Sequence, residues 1–294
     1  MPTARLDDRA TIAISGPDAE TLLQNVLTTD VPDVVAAGAG YGALLTPQGK
    51  IVADLLLHRR GDGFVADIRA EEAEAVGKRL AMYRLRSKVA ITVDPALAVF
   101  ARWGAEDPTP SPSPQGRGGQ VFDPRLAGLG ERWVAPRESV ACDASLEDYH
   151  RHRIALAVPE GGLDFLFGDT FPHDAAMDSL HGVAFEKGCY IGQEVVSRMR
   201  HRGTARRRVV ALTATGHSAG HELPAPGAAI VAGVRGLGRM GSSAGPYGIA
   251  VVRLDRLGAA LDAGDAVLAG DAAVTVALPH WATYAMPPSS GSAA

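Results

Sequence analysis

The last third of the chain constrains its architecture more than any other stretch. From residue 207 onward, short apolar runs at 209–212, 228–231, 249–254, 266–268 and 274–278 alternate with Gly-containing turns. Strands this short bury their apolar faces only by pairing into a closed or stacked sheet. The pattern predicts a small β-barrel over residues 206–286, followed by a disordered tail at 287–294.

The N-terminal half mixes periods. Residues 10–15 alternate Ile12 and Ile14 against smaller residues and read as a strand. Gly16-Pro17-Asp18 reads as a helix start, with Leu22, Leu23, Val26 and Leu27 as its apolar face. Strands are predicted at 41–46, 51–59 and 64–68, a helix at 71–86 and a strand at 89–93. That order suggests an α+β layer of ferredoxin-like type. Residues 107–119 are too dense in Pro and Gly for a ladder or a helix, and read as a loop between strands at 96–103 and 131–135. Helices are predicted at 145–156, capped by Ser145, and at 192–202, stopped by Gly203.

With 294 residues the chain suits two or three domains, and its 46% hydrophobic content sustains a packed core. A net charge of −4 gives no basic field for nucleic acid. No apolar run approaches a membrane span, and residues 1–8 carry no apolar h-region. Cys142 and Cys189 do not form a disulfide framework, so a reducing, cytoplasmic setting is the simplest expectation.

Several features carry possible chemistry. Residues 236–241 match G-x-G-x-x-G, but no helix can start in the following Ser-Ser-Ala-Gly-Pro, so a β-turn is the better reading. His150 and His152 diverge on a helix, and His217 and His221 flank a loop with Glu222 but no third ligand, so no metal site is expected. Two distant thiols cannot hold an iron–sulfur cluster without further ligands. Arg198, Arg200, Arg202, Arg206, Arg207 and Arg208 are dense enough for an anion or acidic-partner site, or form a solvated connection. The segment Lys187-Gly188-Cys189-Tyr190-Ile191-Gly192-Gln193-Glu194 stands apart. A thiol before a helix start and near Lys187 favours its thiolate, and Gly188 and Gly192, which bracket the Cys-Tyr-Ile step, suit a close approach of the backbone to a ligand or another segment. The alternative is a cysteine packed at a domain seam.

That segment resembles the K-G-C-Y-x-G-Q-E motif of the YgfZ-type folate-binding proteins, relatives of the glycine-cleavage T-protein (aminomethyltransferase). Blocks at 14–30, 44–50 and Tyr83-Arg84-Leu85-Arg86-Ser87-Lys88-Val89 support it in the same order. The resemblance implies an α+β, three-domain T-protein-like architecture around a central cavity. Its parts would be a discontinuous folate-binding domain (1–47 and 140–205), an inserted ferredoxin-like domain (48–139) and the C-terminal β-barrel. It implies a tetrahydrofolate-binding accessory factor for assembly or repair of iron–sulfur (4Fe–4S) clusters, with client enzymes or cluster carriers as partners. Cys189 and Lys187 would be the reactive pair. Tyr149, Asp174, Arg9, Tyr190, Gln193 and Glu194 would line the folate site, with Tyr149 stacking on it and Arg9 standing where relatives have a second aromatic. The alternative is a folate-dependent aminomethyl or one-carbon transferase. Against it, Ala155 stands where T-proteins carry a pterin-gripping Glu, and the acid near the reacting folate nitrogen is matched only by Glu74.

Overall fold

A computed structural model of the chain describes residues 1–104, 121–203, 205–216 and 222–287. The Pro/Gly-rich run at 107–119, His217, His221 and the tail at 288–294 lie outside the described residues. The chain divides into two compact units. The first comprises Met1–Tyr149, Phe167–Pro172 and Leu180–Ser197; the second comprises His150–Leu166, His173–Ser179 and Arg198–Ala294.

The first unit contains β1 (Thr3–Arg5), β2 (Arg9–Ser15), α1 (Ala19–Val26), α2 (Val31–Ala37), β3 (Ala39–Leu45), β4 (Ile51–Arg60), β5 (Gly63–Arg69), α3 (Ala73–Arg84), β6 (Ala90–Val93), β7 (Leu97–Arg102), β8 (Val121–Phe122) and β9 (Glu131–Pro136). Five strands form an antiparallel sheet in the order β3-β4-β5-β2-β6. The boundary expected at residue 47 therefore falls inside one sheet, because β2 and β3 pair with strands that follow it. A second sheet has the order β1-β7-β9-β8.

The period-2 alternation of β4 explains the layering. Ala53, Leu55 and Leu57 face the helices and pack with Ile12, Ile14, Ala66, Ile68 and the apolar stripe Leu22, Leu23 and Val26 of α1. The opposite face of the sheet carries Arg9, Tyr41, Asp54, His58 and Asp67, all buried. A strand buried on both faces normally reads as a continuous apolar run. Here ion pairs make the second face possible. Arg9 and Arg132 each place Nε 2.7 Å from a different Asp67 oxygen. Arg132 lies on β9, so Asp67 bridges the two sheets.

The second unit is organised by a closed barrel of β10 (Arg207–Ala214), β11 (Ala229–Ala232), β12 (Arg235–Ala244), β13 (Tyr247–Arg253), β14 (Val267–Ala269) and β15 (Ala272–Ala277), in the order β10-β13-β12-β11-β14-β15. The G-x-G-x-x-G run is not a turn: it lies within β12, paired to β11 on one side and β13 on the other. Two further helices are α4 (Leu146–Ala155) and α5 (Gln193–Arg202), and α6 (Leu254–Asp262) follows β13. At the start of α4, Ser145 Oγ accepts the Asp148 N–H at 3.1 Å and Asp148 Oδ2 accepts the Ser145 N–H at 3.0 Å, a reciprocal capping box. Arg153, fully buried, donates to Asp164 Oδ2 at 2.7 Å and Ser242 Oγ at 2.7 Å and so fastens α4 to β12.

Among the described residues no helix is long and apolar enough to cross a membrane.

Candidate functional site

The segment 187–194 is fixed by its duties to the rest of the first unit. An α-helix ends with carbonyls that have no partner within the helix. Lys187 supplies a partner at the end of α1 and for the turn that follows it: its ammonium donates to the carbonyls of Gln24 at 2.7 Å, Leu27 at 2.8 Å and Thr29 at 2.6 Å. The Ile191 N–H adds a fourth contact, to Asn25 O at 3.3 Å, and the Ala184 N–H reaches Thr28 O at 2.8 Å. A cation at this end also meets the negative pole of the helix. Burial lowers the Lys187 pKa to about 8, against the opposing pull of Asp30. Lys187 was expected to support a thiolate at Cys189; its three donors are instead spent on the end of α1 and the turn that follows it.

The other end of the segment is held just as closely. Gly192 adopts φ +83, and a Cβ there would lie 2.5 Å from Thr46 O and 3.2 Å from Gly49 Cα. The turn at 46–49 therefore closes directly onto the start of α5, which is the close approach expected at Gly192; at Gly188, where the same was expected, an added Cβ would meet nothing within 4 Å. Gln193 is spent locally, its Oε1 accepting the Tyr190 N–H at 2.9 Å. Tyr190 is half-buried with its ring 5.3 Å from the Lys187 ammonium, and burial raises its pKa to about 12. Glu194 is exposed in the first turn of α5.

The Lys187 ammonium, the Tyr190 and Ile191 N–H groups, Gly192 and the Gln193 Oε1 are thus engaged in holding the backbone. Between them Cys189 is an exposed free thiol. The segment is a scaffold pinned on both sides that displays one sulfur. Cys142 is also exposed and free.

Two of the residues expected to line a folate site, Tyr149 and Arg9, meet in one buried network through Arg132 and Asp67. Tyr149 is 1% exposed, with its ring edge against Trp103 at 5.9 Å. Its hydroxyl accepts from Arg125 Nη2 at 2.9 Å and Arg132 Nη1 at 2.8 Å. Both contacts hold the ring inside the unit, where it offers no open face for stacking. Arg9 is consumed by Asp67, donating to its Oδ1 at 2.7 Å and its carbonyl at 3.0 Å. Asp174 is buried in the second unit. Glu74 is exposed in the first turn of α3, and Ala155 presents an exposed methyl at the end of α4. His150, read as a surface residue, is half-buried and accepts from Arg153 Nε at 2.9 Å. In the arginine run, Arg208 is pinned to Asp178 at 2.9 Å and lies 4.6 Å from the Tyr284 ring, whereas Arg202, Arg206 and Arg207 are exposed.

Sequence reasoning missed the polar face of the five-stranded sheet. Burial lowers the His58 pKa to about 4, with Asp67 opposing. Burial alone would raise the Asp67 pKa, but Arg132 and Arg9 outweigh it and hold the carboxyl well below the usual range. Tyr41 donates to Asp54 Oδ2 at 3.0 Å, and burial beside that carboxylate raises the tyrosine pKa. The signal was present: residues 53–58 alternate Ala-Leu-Leu with Asp-Leu-His, which marks two faces of different chemistry.

Comparison with known proteins shows what the chain is similar to. Residues 206–284 match the CAF17 C-terminal β-barrel domain. The chain is 31% identical over 245 residues to the iron-sulfur cluster assembly factor IBA57 homolog, mitochondrial, of Neurospora crassa, covering 76% of this chain and 56% of that protein. It is 35% identical over 228 residues to the Homo sapiens IBA57, covering 70% and 64%, and 29% identical over 283 residues to the Mus musculus IBA57, covering 86% and 78%. All three relatives are named as iron–sulfur cluster assembly factors. The chain spans 56% and 64% of the length of the first two. The crystal structure of glycine cleavage system aminomethyltransferase T from Bartonella henselae matches with TM-score 0.72 at 19% identity, over 94% of this chain and 84% of that one. The fold is therefore that of the T-protein, α+β with a C-terminal barrel.

The same relatives overturn the cytoplasmic expectation, since all three carry mitochondrial names.

Proposed function

We propose that this chain is an accessory factor in the assembly or repair of iron–sulfur clusters, 4Fe–4S clusters in particular, and that it works on client enzymes or cluster carriers. The observation that carries the reading is Cys189, an exposed thiol on a backbone clasped at Lys187 and Gly192. The printed names of the relatives point the same way. A cluster needs about four protein ligands. One thiolate, its proton lost to solvent, would serve as a transient ligand to an iron whose other ligands belong to the partner. That suits an accessory role rather than a carrier's.

Tetrahydrofolate or a derivative is the ligand proposed with it. The contacts assigned to Tyr149 and Arg9 do not fit such a ligand, because one ring is buried and one guanidinium is committed to Asp67. Tyr190, Gln193 and Glu194 remain the side chains offered to it. Nothing in the surroundings of Glu74 or Ala155 favours aminomethyl transfer.

The test separates the two halves. Cys189→Ser, at an exposed site, is expected to leave folding and tetrahydrofolate titration unchanged and to abolish support of a 4Fe–4S enzyme in a deletion strain. Full complementation by that variant would refute the thiol role. A flat tetrahydrofolate titration of the unaltered chain would refute the ligand.

A further inference from the structure

The end of α3 combines features that do not serve the stability of the first unit. The helix stops at Arg84, and the next residue, Leu85, takes φ 45 and ψ −105. That conformation is reserved almost entirely for glycine, because the Cβ crowds the neighbouring carbonyl. The strained residue is not buried in return. Leu85 is 88% exposed, and Met82, three residues before it, is 73% exposed.

The turn is nevertheless held firmly. Asp18 Oδ2 accepts the Lys88 N–H at 2.7 Å, the Ser87 N–H reaches Arg84 O at 2.7 Å, and Arg84 Nη1 donates to Val89 O at 3.1 Å. Gly16 allows the closest approach: a Cβ on it would lie 2.2 Å from Lys88 O. Beside Leu85 lies a cleft of about 760 Å³ lined by Asp18, Thr21, Leu85, Arg86 and Ser87. Arg86 lines it, Arg84 and Lys88 lie next to lining residues in the sequence, all three are exposed, and no acidic residue occurs from 75 to 93, on a chain whose net charge is −4. Among the described residues lining the cleft Asp18 is the carboxylate, and its Oδ2 accepts the Lys88 N–H.

Strain that the surroundings enforce, on a side chain displayed to solvent, marks a functional surface. We propose that Leu85 and Met82, ringed by Arg84, Arg86 and Lys88, dock an acidic amphipathic segment of a partner protein. A leucine-sized side chain of that segment would enter the cleft, and its carboxylates would meet the basic rim. The charge of the rim selects carboxylates. A bilayer is the poorer occupant, because two apolar side chains bury little in it and Glu71, Glu72 and Glu74 at the other end of α3 would repel anionic headgroups. This surface is independent of the role assigned to Cys189.

The probe is a fluorescent synthetic helix with leucines on one face and glutamates on the other, titrated against the full chain by anisotropy. Binding is expected, weakening at high salt, and lost when glutamine replaces glutamate. Leu85→Gly is expected to raise the melting temperature, because glycine accepts the backbone without strain, and yet to weaken binding about tenfold, as loss of an anchor does. The double variant Arg86→Glu/Lys88→Glu is expected to weaken it similarly without altering the fold. The proposal is overturned if the acidic helix does not bind, if these variants leave binding unchanged, or if Leu85→Gly lowers stability. It is equally overturned if phosphatidylserine vesicles bind in place of the peptide and the same variants abolish that binding.

Discussion

Replacing Lys187 by Met tests whether the segment around Cys189 is held by helix capping. Methionine keeps most of the aliphatic stem and removes the three donors. The carbonyls of Gln24, Leu27 and Thr29 then lose contacts of 2.7, 2.8 and 2.6 Å. A charge-assisted hydrogen bond contributes roughly 1.5–3 kcal/mol, but these share one half-buried ammonium and water can replace part of each, so about 1 kcal/mol per carbonyl is reasonable. The relief of desolvating the ammonium subtracts from the sum, leaving a cost of about 2–3 kcal/mol. Urea unfolding followed by far-ultraviolet circular dichroism should show the midpoint fall with the slope unchanged. Lys187→Arg should recover only part of the loss, since a planar guanidinium spreads its donors and cannot converge on three acceptors from one nitrogen. A Met variant within about 0.5 kcal/mol of the parent, the range of an ordinary surface change, would refute the capping argument.

Two further outcomes follow from the buried polar face. Tyr149→Phe deletes the hydroxyl that two guanidiniums share and should cost about 2–4 kcal/mol in urea unfolding; unchanged stability would show those bonds carry no weight. The His58 pKa is lowered in the folded chain to about 4 from 6.5, so between those values the unfolded chain binds more protons. Stability is therefore intact above pH 6.5 and falls by about 3 kcal/mol as pH drops toward 4; in His58→Phe that part of the profile should flatten, and a curve parallel to the parent's would count against the assignment.

Periodicity made much of this fold readable, and chemistry at a distance made the rest opaque. The strands expected at 41–46, 51–59 and 64–68 lie within one residue or two of β3, β4 and β5. Helix α4 announced itself through Ser145 and an acid three residues later, because a cap is a local device. Helix α2 was missed, since its seven residues, with Pro32 near the start, carry no clear period. Strand β12 was hidden by its glycines, which are strand-poor by propensity and are accepted where barrel neighbours crowd the backbone. For the site, the thiol and the close approach at Gly192 were legible. The partners of Lys187, Tyr149 and Arg9 were not. Each is decided by a residue far away in the chain, and side-chain type alone cannot say whether a cation serves a ligand or a helix end.

The carbonyls that Lys187 caps lie about 160 residues earlier in the chain. During synthesis α1 emerges long before its clasp, and its C-terminal carbonyls must wait, with Thr28 O, for residues 184–191 to arrive. Contacts of such separation close late, because their loop entropy is met only after intervening structure has formed. The thiol lies inside a segment of the first unit that closes late. Cys189 therefore reaches its held position only on a chain whose first unit is already largely formed, so an unfinished or damaged chain withholds the fixed sulfur from any partner.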